Sequence, residues 1–417
     1  MPQFTFPEPD NAWKKKIIIF LSSQTFSLFG SSLVSYAIMW HITLSTQSGT
    51  MMTLYILCGF IPTFLLSPIG GVLADRYNRK LLIGLSDSVI AVATLILAIL
   101  FILGYYNIWL LFAIAGIRSF GAGVQMPAIG AILPQIVPED KLTQVNGINS
   151  SIQSFITLLS PMLSGALLTL ASIEIILFID VITASTAVAI LFILLNIPLH
   201  AKATEKQTTS YFYDIKQGID YVKNNPFVKK FFMFFAFFSI LVAPSAFLTP
   251  LQVTRSFGND VWRLAAVEVA FSLGMMLGGL LIALWGGFKN KVHTMSFSIF
   301  IIGVCTAFLG IVPNFWIYLG FMWTIGLLIP SFNTPVMVLL QEKVEINYLG
   351  RVFGVFTMIA TSMMPLGMLF FGPLGDIIKI EWMLIATGML MFMQGFFLLG
   401  NKVLLEAGKP VVDKQQG

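Results

Sequence analysis

Charge is scarce in this chain: Asp, Glu, Lys and Arg make up 10% of 417 residues, against 57% hydrophobic residues and a mean hydropathy of +0.87. No soluble domain of this length hides that much apolar surface in a core. Cysteine is nearly absent. Cys58 and Cys305 fall in different halves, each inside an apolar run, so they support no disulfide framework and read as packing residues. Histidine occurs only at positions 41, 200 and 293, without ligand spacing, so no metal site follows. There is no Gly-x-x-x-x-Gly-Lys-Ser/Thr phosphate loop, which argues against direct use of ATP. No enzyme signature is present, and nothing calls for a cofactor. Alternation of apolar and polar residues over about ten positions is also missing, which excludes a transmembrane β-barrel.

What the chain has instead is long hydrocarbon. A membrane helix needs about 20 apolar residues to cross roughly 30 Å. Twelve stretches qualify, at about 17–41, 50–74, 81–104, 107–132, 144–170, 173–197, 229–253, 262–287, 292–312, 315–339, 352–375 and 380–401. The net charge of +5 is a topology signal and does not point to nucleic acid. With the N-terminus placed in the cytoplasm, twenty of the 24 Lys and Arg residues fall in inner connections and three in outer ones, the last being Arg118 within a span. That asymmetry predicts both termini inside. The first apolar run is full length and follows a polar segment and Lys14–Lys16, so it reads as a retained helix and not a cleaved signal. The expected location is a bacterial-type cytoplasmic membrane, crossed many times.

A polar stretch near Leu199–Lys230 divides the spans six and six. Within it, Phe212, Ile215, Ile219 and Val222 recur at helical spacing opposite Asp214, Lys216, Asp220 and Lys223, which predicts a short helix on the inner membrane face. The expected organisation is an amino-terminal six-helix bundle over 1–198, a cytoplasmic linker over 199–228, and a carboxy-terminal six-helix bundle with tail over 229–417. The halves share a faint repeat. Pro127, Leu142 and Gly147 in the first answer to Pro335, Leu349 and Gly354 in the second, each set joining a fourth span to a fifth. Two related bundles are the layout of transporters that rock around a midplane site.

Gly71-Val72-Leu73-Ala74-Asp75-Arg76-Tyr77-Asn78-Arg79-Lys80 is a charged hairpin between two spans. It resembles the signature loop between helices 2 and 3 of the major facilitator superfamily, and with the 6+6 pattern the resemblance covers the whole chain. Three segments further resemble the macrolide-efflux branch of drug:proton antiporters: Ile117-Arg118-Ser119-Phe120-Gly121; Pro134-Gln135-Ile136-Val137-Pro138-Glu139; and Gln341-Glu342-Lys343-Val344 followed by Tyr348-Leu349-Gly350-Arg351-Val352-Phe353. Two departures stand out. The second-half hinge, Gly286-Gly287-Phe288-Lys289-Asn290-Lys291, has no counterpart to Asp75, and Ser160-Pro161 stands where the antiporter motif of helix 5 usually ends in Gly-Pro. The resemblance implies an all-α integral membrane protein with twelve transmembrane helices in two six-helix bundles.

The candidate gating residues are Gly71, Asp75, Arg76, Arg79 and Lys80. Gly70 and Gly71 are expected to allow close helix packing. Asp75 is placed to offer a carboxylate to a helix N-terminus, and the resemblance names helix 11, near Val352, as that neighbour. Arg118 sits near mid-bilayer, where an arginine costs about 2.5–3.5 kcal/mol on insertion scales, so it should face a cavity and have a partner. The resemblance assigns it to proton coupling. Glu268, two turns inside its span, is the best acidic candidate to exchange a proton for a cation, though an acid near the mouth fits the same position. Asp180 serves either coupling or bundle structure. Asp87 reads as support for the Asp75 hinge, and Glu174, Asp376 and Glu381 as solvated helix ends. Gln24, Tyr36, Gln125, Asn149, Gln153 and Asn333 are candidate substrate-binding residues. The run Phe231–Phe238 with its neighbours would suit a promiscuous apolar pocket or simply face lipid. Together these features lead us to expect a monomeric proton-driven exporter of bulky lipophilic, macrolide-like compounds working by alternating access. The alternatives are an exporter of an endogenous metabolite such as a siderophore, a nutrient permease, or a non-transporting binding or sensor protein on the same scaffold.

Overall fold

The computed structural model describes residues 12–138, 141–196, 211–345 and 348–409, and every regular element among them is helical. Twelve helices are long and apolar enough to cross a membrane. The chain divides into two compact units, residues 1–42 with 54–206 and residues 43–53 with 207–417. The start of the second span therefore packs with the second unit.

In the first unit, α1 (Ala12–Thr46) and α2 (Gly49–Arg76) lead into α3 (Arg79–Ile102), α4 (Ile108–Ile136), α5 (Leu142–Leu170) and α6 (Ile173–Ala189), which ends in a π-turn over Ile190–Leu194. Asparagines set two of these helix starts. Asn78 accepts from the amides of Lys80 and Leu81, and Asn107 from that of Trp109, satisfying donors that a helix start leaves open. α3 lies between α4 and α6. Its buried Ile83, Leu97 and Phe101 belong to the core of the unit, as do Phe20 and Trp40 of α1. Within hydrocarbon, helices have no hydrophobic reason to associate, so small residues and hydrogen bonds hold them together. Between α2 and α4, the Ser119 hydroxyl donates to Gly59 O at 2.5 Å, and the Thr63 amide donates to Ser119 Oγ at 3.0 Å. Between α1 and α6, Ser23 Oγ donates to Ala187 O at 2.8 Å.

The second unit contains α7 (Tyr211–Asn224), α8 (Pro226–Phe247), α9 (Thr249–Phe257), α10 (Val261–Trp285), α11 (Lys291–Leu309), α12 (Phe315–Lys343), α13 (Leu349–Ile377), α14 (Ile380–Gly400) and α15 (Lys402–Ala407). The seventh apolar run is broken at Leu248, and Pro250 sits in the first turn of the new helix, where its missing N–H costs nothing. α10 and α12 touch backbone to backbone: a Cβ at Gly274 or Gly278 would meet Trp323 O or Leu327 O, and one at Gly326 would meet Phe271 O. α10 ends on Gly286 and Gly287 at φ 72° and 77°, a left-handed pair suited to glycine. Of the phenylalanine run, Phe231, Phe232, Phe234, Phe235 and Phe238 are buried, and Phe235 stacks on Phe332 at 6.2 Å. The run is mostly core of this unit, with only Met233 and Phe237 exposed.

α7 forms where the amphipathic pattern predicts a helix, but it docks against α13. Gly218 lies on the backbone of Arg351, and Tyr221 stacks on Tyr348 at 4.7 Å. The polar linker before it, with Lys202 and Lys206, lies outside the described residues, as does the chain after Lys409. The repeat has a structural counterpart: Leu142 and Leu349 each open the helix that follows the proline-containing α4 and α12.

Candidate functional site

The first unit carries a partly open cavity of about 550 Å³, within the size range of sites for small organic ligands. One stripe of α1 supplies Gln24, Ser27, Ser31 and Ser35 to its wall, residues spaced three and four apart and so on one helix face. α2 contributes Tyr55 and Thr63, α4 contributes Arg118, Ser119 and Gln125, and α5 contributes Asn146, Asn149 and Gln153. Leucines, isoleucines and Met126 fill the space between these polar groups.

Arg118 is buried in this wall. Its Nη1 forms an ion pair with Asp180 Oδ2 of α6 and donates to Thr94 Oγ1 of α3 at 2.7 Å, while Nη2 donates to Ser31 O of α1 at 3.3 Å. One guanidinium thus ties three other helices together, and Asp180 is completely buried. Gly30 of α1 lies against Asp180: a Cβ there would stand only 3.0 Å from Oδ1, so any side chain would press on the carboxylate. A carboxylate at this depth is tolerable because the cation beside it offsets its desolvation. The cavity wall and the pair are therefore one construction, built from residues 62 positions apart.

Asp87 does not brace the hairpin loop, contrary to the expectation from sequence. It is buried on α3, and its Oδ1 accepts from Ser27 Oγ at 2.5 Å and from Gln125 Nε2 at 2.7 Å. The signal was available, since an acid inside an apolar span is a functional candidate by default. Of the residues expected to bind substrate, Gln24, Gln125, Asn149 and Gln153 meet on the cavity wall. Tyr36 is not on it and packs against Trp40, the rings tilted with centroids 5.6 Å apart. Asn333 is exposed on α12 and belongs to the second unit. Glu268, half-buried on α10 of that unit, makes no hydrogen bond or ion pair with the described residues.

The hairpin is anchored by its second arginine and by its lysine. Arg79 donates through Nε to Ala74 O at 3.0 Å and through Nη1 to Ala131 O at 2.8 Å, with Gln135 Oε1 at 3.3 Å. Lys80 donates to Leu195 O at 2.5 Å. Arg76 is exposed, and the side chain of Asp75 lies outside what is described. Of the two glycines, Gly70 makes the close approach, to Gly123 O, whereas a Cβ at Gly71 would meet nothing; the packing role expected of Gly71 is corrected accordingly. The second-half hinge, lacking an equivalent of Asp75, is held by an ion pair between Lys291 and Glu342 at 3.0 Å.

Two helix-end acids are more engaged than their positions suggest. Glu174 is buried and accepts from Tyr106 Oη at 2.9 Å, and that carboxylate pushes the Tyr106 phenol above its ordinary pKa. Asp376, at the end of α13, caps the start of α2. It accepts from the amides of Gly49 at 2.6 Å and Thr50 at 2.9 Å, and from the hydroxyls of Ser48 at 2.8 Å and Thr50 at 2.7 Å. Arg255 closes the cluster, donating to Gly375 O at 2.7 Å and standing 3.4 Å from Asp376. Among the described residues, no group of His, Cys, Asp and Glu is arranged to hold a metal.

Over 385 residues the chain is 28% identical to the macrolide efflux protein A of Streptococcus pyogenes, an alignment covering 92% of this chain and 95% of that one. It is 23% identical over 402 residues to the staphyloferrin A transporter of Staphylococcus aureus, covering 93% and 97%. The fold matches the crystal structure of a bacterial homologue of the human lysosomal transporter Spinster at a TM-score of 0.71 and 13% identity, over 97% of this chain and 100% of that one. The Major Facilitator Superfamily profile matches residues 17–368. Twelve apolar helices in two units, a mainly apolar cavity with a paired arginine in its wall and this profile match agree: the chain belongs to the major facilitator superfamily.

Proposed function

We propose that this protein is a secondary active transporter that exports bulky lipophilic compounds of the macrolide type in exchange for protons, by alternating access, as a monomer in a bacterial cytoplasmic membrane with both termini inside. The observation that carries the reading is the Arg118–Asp180 pair in the wall of the first-unit cavity. A buried ion pair is weak support for stability alone, and its position beside a ligand-sized space suits a coupling role. The similarity to a macrolide efflux protein supports the substrate class. In this reading Gln24, Gln125, Asn149 and Gln153 contact substrate, while Arg118, Asp180 and Glu268 carry the proton. Asp75, with Gly71, Arg76, Arg79 and Lys80, forms the inner gate. The membrane potential supplies about 2.3 kcal/mol per 100 mV per charge moved, which at about 1.4 kcal/mol per tenfold sustains a gradient of about 40-fold.

The test is flux of radiolabelled erythromycin in proteoliposomes under imposed pH and voltage gradients. Uptake driven by an acidic interior, lost in Arg118→Ala and without its pH dependence in Glu268→Gln, is the expected result. Uptake that ignores the pH gradient defeats the exchange mechanism, and an unchanged Glu268→Gln variant removes that residue from it. Export of an endogenous metabolite such as a siderophore is the second reading, favoured by the similarity to the staphyloferrin A transporter. It predicts that deleting the gene abolishes secretion of an iron chelator without raising macrolide sensitivity.

A further inference from the structure

Asp87 is 2% exposed, yet one side of its carboxylate has no partner: Oδ1 takes hydrogen bonds from Ser27 and Gln125, and Oδ2 is buried with none. Both donors line the cavity, so the carboxyl group stands directly behind its wall. No cation among the described residues neutralises it. α3 packs against α4 and α6, whose charged groups here are Arg118 and Asp180; they are spent on each other. α1 faces it with neutral groups, Ser27 and, one turn earlier, Gln24, whose Nε2 is buried without a partner. On α3 itself, Arg79 and Lys80 are committed to backbone carbonyls.

A side-chain amide has donors on nitrogen and acceptors on oxygen, while an ionised carboxylate only accepts. An ionised Asp87 therefore holds Gln125 by Nε2, as observed, leaving Oε1 as its free polar atom at the cavity. A protonated Asp87 gains an O–H donor, and rotation of the amide about its last bond lets Oε1 accept from it and turns the N–H groups outward. We propose that Asp87 and Gln125 form a proton-read hydrogen-bond switch, in which the protonation of Asp87 decides whether the cavity meets a carbonyl acceptor or an amide donor. The acceptor state holds compounds bearing hydroxyl or ammonium donors, and the donor state releases them. This rests on the reading that the first-unit cavity carries the substrate. It assigns the specificity for donor-bearing compounds to a residue that itself need not touch them.

The experiment uses the full-length protein in lipid nanodiscs, with infrared difference spectra between about pH 5 and about pH 8. In the wild type a carboxylic-acid C=O band and a side-chain amide shift change together. Asp87→Asn loses the amide shift and its own share of the carboxyl band, the remainder belonging to Glu268, and Gln125→Met loses the amide shift while keeping the whole band. A carboxyl band undiminished in Asp87→Asn, or an amide shift that survives in Gln125→Met, overturns the switch. Equilibrium binding of radiolabelled erythromycin is measured over the lower part of the same range, where its amine stays protonated. Affinity is expected to change by about tenfold in the wild type and by less than about twofold in either variant; a full tenfold change retained in both also overturns it. Spectra that show the switch without erythromycin binding would count against the proposed substrate and leave the switch standing. Proton-driven export unchanged in Asp87→Asn would do the reverse. Should Asp87→Asn fail to fold, Gln125→Met alone decides the outcome.

Discussion

Removing one partner of the Arg118–Asp180 pair should cost far more than removing both. The side chains are 9% and 0% exposed, so water screens neither charge. Asp180→Ala leaves the guanidinium with Thr94 Oγ1 and Ser31 O, two neutral acceptors, in place of a carboxylate. Breaking a buried pair from one side costs about 3–5 kcal/mol, because the remaining charge is left without its counter-ion. Replacing both by apolar residues of similar size is often neutral or stabilising, so Arg118→Met with Asp180→Leu should recover most of the loss. The assay is reversible unfolding of the purified protein in mixed micelles, as a double-mutant cycle of Arg118→Met, Asp180→Leu and their combination, run beside erythromycin flux. The interaction term should exceed about 1.5 kcal/mol in magnitude, as expected for contacting residues. The double variant should be stable and inactive. A loss below about 1 kcal/mol for Asp180→Ala, or simple additivity, refutes the electrostatic account. A stable double variant that still couples flux to protons refutes the role of the pair in coupling.

Asp376→Ala removes the cap of α2 and should cost about 0.5–2 kcal/mol, seen as faster hydrogen exchange at Gly49 and Thr50 with α10 and α12 unaffected. Neighbouring glycines on α10 should behave oppositely. Gly278→Ala drives a methyl group into Leu327 O and should lower stability by about 1–3 kcal/mol, whereas Gly279→Ala meets open space and should gain up to about 1 kcal/mol; melting temperatures in detergent compare them. The two hinge cations should also differ. Lys291→Met breaks a half-exposed pair and should cost less than about 1 kcal/mol. Arg79→Met gives up hydrogen bonds to Ala74, Ala131 and Gln135 and should cost about 1.5–3 kcal/mol by the same unfolding assay.

The spans were legible because unbroken hydrocarbon of sufficient length has few other uses, and the location of α7 followed from its strong amphipathic pattern. Its docking on α13 was not legible, since Gly218 and Tyr221 meet residues about 130 positions later and composition does not record pairings. Arg118 announced its need for a partner by its cost in hydrocarbon, but which acid answers depends on helix register. Register was hard to read because these helices are apolar on every face. The same ambiguity explains why Gln24 and Gln125 reach the cavity wall while Tyr36, chosen by the same chemistry, packs on Trp40. Asp87 and Glu174 are buried where their distance to a span end suggests water. Burial and capping are decided by what another helix brings to the same spot.

The cap on α2 also has a bearing on biosynthesis. The amides of Gly49 and Thr50 find their acceptor in Asp376, 327 and 326 residues further along the chain. At about 5–20 residues per second, a ribosome reaches that aspartate some tens of seconds after the second span has been made. Until then those donors have only water, headgroups or transient neighbours to satisfy them. A nascent chain stopped before Asp376 should therefore carry a second span whose start is frayed, open to protease or alkylation, and fixed only when nearly the whole polypeptide has entered the membrane.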